Sequence, residues 1–186
     1  MLLWKNVIPG PNPPKIVYAL IECPKGTQNK YELSKTVNVL VLDRVLHSSV
    51  IYPHDYGLIP GTYAEDSDPL DILVITSNAT VPLTLIATHP IGVLIMEDEK
   101  GVDEKILAVN ENDPVFREFK DRGQLPRHIL DEIQEFFKTY KNLENAAYSS
   151  PKEWKGLDVA YRIIEESITR FKEKYGEVAI VDPLAK

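Results

Sequence analysis

The stretch of sequence best suited to chemistry is EDSDPLD, residues 65–71, in which four of seven residues are carboxylates. It leads into ILVIT, an apolar run that predicts a buried strand. Because Pro69 has a fixed φ angle and keeps Asp68 extended, the backbone sets the spacing of the three aspartates. Such carboxylates repel one another unless a cation lies between them, and Mg²⁺ above all prefers oxygen ligands. The ordinary alternative is a solvated acidic loop, since the chain has 28 acidic and 21 basic residues.

A second acidic stretch, MEDEKGVDEK at residues 96–105, places Asp98 and Asp103 on either side of a glycine turn. On an extended chain Lys105 shares a face with Asp103. Alone, this pattern is typical of an ordinary charged hairpin. Arg44 is more informative, because it interrupts the apolar run VLVLDRVL, where a charge must find an opposite charge or reach water.

Further polar candidates are Lys30 and Glu32 in KYE, the tyrosines of YPHDYG, and Tyr140 with Lys141 in TYKNLE. Aspartates that gather metal ions, together with lysine and arginine side chains, would form a pocket for a small polyanion with several phosphate oxygens. Tyrosines add hydrogen-bond donors without adding charge. No serine, cysteine or histidine constellation offers a covalent nucleophile, so direct attack by a metal-activated water is the simpler mechanism.

The elements that must position these residues are β-rich first and helical later. Strands are predicted at residues 15–22, 37–46, 71–77, 82–96 and 105–110. Helical spacing begins at Pro126, and a second helix is predicted from Leu157 to near Gly176, a suitable C-terminal cap. We therefore expect a mainly β fold of the α+β class, in which the strands form a closed or partly closed barrel and two main α-helices pack outside it.

Composition limits the class of protein. With 186 residues, 44% of them hydrophobic, and no visible linker, we expect one domain over residues 1–186, with an extended segment at 1–14 and a tail at 177–186. The net charge of −7 and the lack of a basic block argue against a nucleic-acid partner. The lone Cys23, the absence of a signal peptide and the absence of a long apolar run predict a cytoplasmic protein with no membrane partner.

Five motifs, in order, resemble those of the soluble family I inorganic pyrophosphatases: IECPKGTQNKYE, DRVLHSSVIYPHDYG, EDSDPLD, MEDEKGVDEK and FFKTYKNLE. DSDPLD matches that family's signature, D-[SGDN]-D-P-[LIVM]-D. The resemblance implies a five-stranded OB-like closed barrel with flanking helices and the Mg²⁺-dependent hydrolysis of inorganic pyrophosphate to two orthophosphates. It further implies several Mg²⁺ ions per active site, with Mn²⁺ as an alternative, and a homo-oligomer, a hexamer being favoured over a dimer.

Position by position, the resemblance also implies roles for individual residues. Asp68 matches the carboxylate that takes the proton from the attacking water, and Tyr56 lies with it at the catalytic centre. The implied metal ligands are Asp66, Asp71, Asp98, Asp103 and Glu32, with Glu22 as a supporting residue of the cavity. The implied substrate-binding residues are Lys30, Arg44, Tyr52, Lys105, Tyr140 and Lys141.

Other functions fit parts of the sequence less well. A non-enzymatic OB-fold binding module would share the barrel, but the acidic balance opposes it. A Mg²⁺-dependent nucleotidyl transferase would use a D-x-D pair, but the chain has no glycine-rich phosphate loop. An EF-hand counted from Asp66 would need Gly and Glu where Asp71 and Ser77 stand, and the histidines lack metal-binding spacing.

Overall fold

A computed structural model describes residues 1–99, 101–144, 148–176, 178 and 180–185. The strands are β1 Val17–Cys23, β2 Asn29–Leu33, β3 Leu40–Val45, β4 Asp55–Leu58, β5 Asp71–Ile75, β6 Leu85–Asp98, β7 Gly101–Asn110 and β8 Ser149–Lys155. The α-helices are α1 Leu3–Asn6, α2 Arg127–Thr139 and α3 Leu157–Tyr175, and a short 3₁₀ turn spans Arg122–Gln124.

The main sheet closes on itself. Its strand order is β1-β4-β5-β7-β6-β8, and β1 also pairs with β6, so that five strands form a ring and β8 lies outside it. Closure depends on β6, whose first residues pair with β1 while its later residues pair with β8. A bulge between Pro90 and Gly92 interrupts its register with β7, and bulges bend strands. The prediction of a five-stranded closed barrel is confirmed.

Both faces of the central strands are buried, which explains their nearly continuous apolar sequences. In β5, Leu73 and Ile75 pack in a cluster with Phe136 and Phe137 of α2. Ile72 and Val74, which point to the opposite face, pack in a cluster with Ala160, Ile163 and Ile164 of α3. The two predicted main helices therefore cover opposite faces of this part of the barrel.

Three strands were not predicted, and one predicted strand lies outside the barrel. The polar or short sequences of β2, β4 and β8 carry little apolar alternation. The predicted segment 37–46 contains β3, which pairs only with β2 in a separate two-stranded sheet. Its Val41, Leu42 and Val45 are about half exposed (47%, 50% and 51%), so Arg44 does not lie in a buried strand.

The two ends of the chain pair with each other. Within the segment expected to be extended, residues 3–6 instead form helix α1. Val7 and Val181 form a parallel bridge, and Val181 N donates to Asn6 O at 2.8 Å. Positions 177, 179 and 186 of the predicted tail lie outside the described residues. Across the described part of the chain, no helix combines the length and hydrophobicity that a bilayer crossing requires. The single-domain organisation stays a prediction.

Candidate active site

Thirteen of the fourteen predicted site residues line one cavity of about 360 Å³. They come from the mouth of the barrel, the β2–β3 hairpin, the segment before β5 and the end of α2. The fourteenth, Tyr52, lies one layer behind the wall, 2% exposed. Its ring packs against Tyr56 and Phe136, with centroid separations of 5.6 and 4.8 Å.

The barrel strands bring the two acidic stretches together around Lys105. The parallel pairing of β5 with β7 places Asp71 opposite Lys105. The Lys105 ammonium group donates to Asp103 Oδ1 at 2.7 Å, forms an ion pair with Asp71, and lies 3.3 Å from the Tyr56 hydroxyl. As predicted, Asp103 and Lys105 share one face of an extended strand.

Burial and the charges of neighbouring side chains together shift the pKa values of this group. Burial alone would lower the pKa of Lys105, but the charges of Asp71 and Asp103 reverse the shift and raise it. Burial raises the pKa of Asp103, and attraction to Lys105 partly offsets that rise. Burial, together with the charges of the same two aspartates, raises the pKa of Tyr56 well above its ordinary value. Tyr56 therefore keeps its proton near neutral pH and acts as a hydrogen-bond donor.

The β2–β3 hairpin carries the second group of cations, in which Lys30 lies opposite Arg44. Lys30 Nζ donates to Asp43 Oδ2 at 3.1 Å and pairs with Glu32. Arg44 Nε donates to Glu144 Oε1 at 2.8 Å, and its Nη1 pairs with Asp43. Asp43 and Glu144 were not predicted, although Asp43 precedes Arg44 and Glu144 lies three residues after Lys141 in the motif FFKTYKNLE.

The end of α2 supplies the third group. Tyr140 follows the last helical residue and stacks on Phe136 with a centroid separation of 5.3 Å. Lys141 Nζ donates to Asp98 Oδ2 at 3.2 Å and to both carboxylate oxygens of Glu99 at 2.9 Å. Glu99 is another cavity residue that the sequence did not single out.

Glu22 joins the barrel to the hairpin. Its Oε1 accepts from Leu33 N at 2.6 Å, which links β1 to β2. Burial raises the pKa of Glu22 to about 8, and the hydrogen bond from Leu33 opposes this rise. In this arrangement the side chain supports the wall of the cavity.

The acidic loop, residues 64–70, has a tightly folded backbone. Asp68 N donates to Asp66 Oδ1 at 3.0 Å, and Ala64 N donates to Asp68 O at 2.7 Å. Ser67 adopts a φ of 74°, in the left-handed region. The carboxylate of Asp68 is paired with Lys35, a cavity residue that was not predicted.

Whether divalent cations suit this cavity depends on its donor atoms. Among the residues that the structure describes, no three Asp, Glu, His or Cys side chains already converge as a metal site. The predicted ligands are nevertheless all carboxylates, and all five line the same cavity. Lysine ammonium groups pair with four of these carboxylates and balance their negative charge. An oxygen-only donor set of this kind fits Mg²⁺ or Mn²⁺.

The fold and the cavity define an OB-like barrel protein with a pocket of interleaved acidic and basic side chains. Residues 19–172 match the family described as inorganic pyrophosphatase. A curated inorganic pyrophosphatase from Haloferax volcanii is 42% identical over 173 residues, covering 93% of this chain and 98% of the relative. One from Methanosarcina acetivorans is 48% identical over 155 residues, covering 83% and 92%. The crystal structure of inorganic pyrophosphatase from Thermus thermophilus superimposes with a TM-score of 0.89 at 38% identity, covering 91% of this chain and 99% of that one. The chain belongs to the inorganic pyrophosphatase family.

Proposed function

We propose that this protein hydrolyses inorganic pyrophosphate to two orthophosphates, using Mg²⁺ and direct attack by water. The observation that carries the proposal is the convergence of thirteen sequence-predicted residues on one cavity. Family membership supports the same activity, since the relatives are themselves named inorganic pyrophosphatases. A cavity of about 360 Å³ is at the small end for ligand sites, as a small polyanion requires.

The basic side chains are arranged to receive phosphate oxygens. Lys30, Arg44 and Lys141 each pair with a carboxylate at the cavity wall. Pyrophosphate oxygens would take the place of those carboxylates, since phosphate oxygens also accept charge-assisted hydrogen bonds from lysine and arginine. The planar guanidinium of Arg44 is suited to two parallel bonds to one phosphate group. Tyr140 adds a donor without charge.

The reacting end of the cavity is the acidic loop. Asp68, one third exposed and paired with Lys35, is the proton acceptor for the attacking water. Tyr56, protonated because of its burial, is a hydrogen-bond donor in the same cavity. Asp66, Asp71, Asp98, Asp103 and Glu32 would hold the divalent cations. When bound, these cations would lower the pKa of a coordinated water and offset the charge of the phosphates.

The test is phosphate release from pyrophosphate and, separately, from ATP, with Mg²⁺, with Mn²⁺ and with excess chelator. We expect rapid release from pyrophosphate with Mg²⁺, little release from ATP, and none with chelator. Comparable release from ATP would favour a nucleotide-directed enzyme, and no release from either would favour a binding module. The Mn²⁺ arm decides the metal preference.

We also propose that the protein is a homo-oligomer, with a hexamer favoured over a dimer, and that it is cytoplasmic. The half-exposed side chains Val41, Leu42 and Val45 of β3 support association, because interfaces cover exposed apolar surface. Sedimentation velocity should show a single species larger than a monomer, and Val41→Glu should shift it toward monomer. A wild-type monomer at micromolar concentration would contradict the proposal.

A further inference from the structure

The acidic loop is held from outside the cavity by the C-terminal half of α3. Tyr63, which immediately precedes the loop, donates its N–H to Ser167 O at 3.0 Å. The Tyr63 carbonyl accepts a hydrogen bond from Arg170 Nε at 3.0 Å. The next residue, Ala64, binds the main chain of Asp68 at 2.7 Å. Thus a short series of hydrogen bonds connects α3 to the residue proposed as the proton acceptor.

Arg170 is well suited to hold this point. Besides its bond to Tyr63, its Nη1 lies 3.8 Å from Glu65 Oε1, and its side chain is 28% exposed. One rigid, planar guanidinium therefore contacts two residues at the entry to the loop. The Tyr63 ring is also fixed, since it packs edge-on against Tyr175 with a centroid separation of 5.8 Å.

The same helix end reaches Asp68 by a second route. Phe171 and Tyr175 pack edge-on against Trp4, with centroid separations of 6.2 and 5.6 Å. Trp4 Nε1 donates to Lys35 O at 3.1 Å, and the Lys35 ammonium group pairs with the Asp68 carboxylate. The two routes meet at Asp68, one at its main-chain carbonyl and one at its side chain.

The loop needs such support. Ser67 has a φ of 74°, and a non-glycine residue in this region persists only where its surroundings fix it. The carboxylates of the loop also repel one another. A loop with these properties would open readily if its entry point were released.

We propose that Arg170 is a positioning residue for the acidic loop: it fixes Tyr63 so that Asp66 and Asp68 face the cavity before any cation binds. The proposal rests on the metal-binding role proposed above for this loop. Without Arg170 the loop could still adopt the same conformation, but part of the binding free energy of the cation would be used to order it. Cation affinity should fall, while turnover at saturating Mg²⁺ should be nearly preserved.

The experiment compares Arg170→Met with Arg162→Met. Methionine keeps much of the aliphatic stem and removes the charge and the donors. Arg162 lies on the same helix, and among the described residues its only ion pair is a long, exposed one to Glu166, 3.9 Å, so its variant controls for loss of one positive charge. Mg²⁺ binding is measured by calorimetry without pyrophosphate, and amide hydrogen exchange is followed in residues 64–70 and in β4.

For Arg170→Met we expect the Mg²⁺ dissociation constant to rise about three- to tenfold, the net effect of losing one ordinary hydrogen bond. Exchange should accelerate in the loop and stay unchanged in β4. Turnover at saturating Mg²⁺ should stay within about twofold of wild type. Arg162→Met should match wild type in all three measurements.

Two results would overturn the proposal: a lowered melting temperature with unchanged Mg²⁺ affinity and loop exchange, or an equal loss of affinity in Arg162→Met. If Arg170→Met does not fold, Arg170→Lys is the second variant; it keeps the charge but not the planar fork that contacts both Tyr63 and Glu65, so unchanged affinity and exchange there would also reject the proposal. Failure of wild type to bind Mg²⁺ would instead reject the proposed function, whereas loop exchange in the two arginine variants still tests the positioning role by itself.

Discussion

Replacing Lys105 with methionine should separate the contribution of its ion pairs to stability from the contribution of a bound cation. Lys105 is 4% exposed and is paired with both Asp71 and Asp103. Lys105→Met keeps most of the side-chain volume and removes the charge. It leaves two carboxylates facing each other without their ammonium partner.

The expected loss of stability follows from the burial of those carboxylates. Breaking a fully buried ion pair costs about 3–5 kcal/mol. Asp71 and Asp103 keep 26% and 14% of their side-chain exposure, so the lower end, about 3 kcal/mol, applies. For a chain of this size 1 kcal/mol corresponds to about 2–4 °C, so the melting temperature in chelator should fall by about 6–12 °C.

Mg²⁺ should then stabilise the variant more than it stabilises wild type. In wild type the cation must displace the Lys105 ammonium group from its carboxylates, whereas in the variant they are free to bind it. A cation at a hundred times its dissociation constant adds about 2.7 kcal/mol, and a lower dissociation constant in the variant adds more.

The assay is thermal melting with chelator, with Mg²⁺, and with NaCl at equal ionic strength. The control variant is Lys152→Met, which removes a surface partner of Glu97 and should change little in any condition.

Low pH should also raise the stability of Lys105→Met relative to wild type. Burial already raises the pKa of Asp103 in the folded protein. Protonation of Asp103 therefore stabilises the folded protein, and this stabilisation is lost as the pH rises through the folded pKa. The stability lost in Lys105→Met relative to wild type should be smaller at pH 5 than at pH 8. An equal Mg²⁺ effect in variant and wild type, or its reproduction by NaCl, would refute this reasoning.

Three further predictions concern single positions. Asp68→Asn should lower turnover at least about a hundredfold, as removal of a general base does, with Mg²⁺ binding by calorimetry unchanged; near-normal turnover at saturating Mg²⁺ would contradict its role. Arg44→Ala should lower kcat/KM and change the melting temperature little, because its side chain is proposed to hold phosphate and is one quarter exposed; Lys141→Ala should lower kcat/KM and, because its pair with Asp98 is buried, the melting temperature as well; an unchanged kcat/KM in either variant would make that residue a structural ion-pair partner only. His54 is buried, and within the described residues neither ring nitrogen has a hydrogen-bond partner; burial, reinforced by Lys25, lowers its pKa to about 4. Because the unfolded chain binds a proton below about pH 6.5 and the folded one does not, stability should fall from pH 6.5 to pH 4 by roughly 3 kcal/mol. His54→Leu should remove that part of the pH dependence in chemical denaturation, and an identical pH profile would show that other groups cause it.

The pattern of apolar and polar residues along the sequence predicted the parts of the fold and site that depend on residues close together in the sequence. The start of β5 directly after the acidic loop and the common face of Asp103 and Lys105 both follow from strand alternation. Strand β4 was missed because four residues, DYGL, cannot show a period. Strand β8, SSPKEWK, is polar and lies at the sheet's edge beside β6, where pairing rather than apolar sequence stabilises it.

The cavity residues Glu144 and Lys35 were missed for a different reason, since each meets the site through a contact that is distant in sequence. Arg44 and Glu144 are 100 positions apart, and the bond from Trp4 to Lys35 also joins distant segments. No spacing rule connects such pairs, so only the folded chain reveals them. Tyr52 shows the converse limit: a motif indicates that a residue lies near the site but not which layer it occupies, and its substrate-binding role stays a prediction.

The pairing of Val7 with Val181 has a consequence for how the protein is made. A ribosome adds about 5–20 residues per second, so the first residues emerge well before the last. The strands of the barrel can pair while α3 is still unsynthesised. The contacts of Trp4 with Phe171 and Tyr175, and through Trp4 the support of Lys35, must wait until α3 has been synthesised. A nascent chain can therefore hold a nearly complete barrel whose acidic loop is not yet supported by α3.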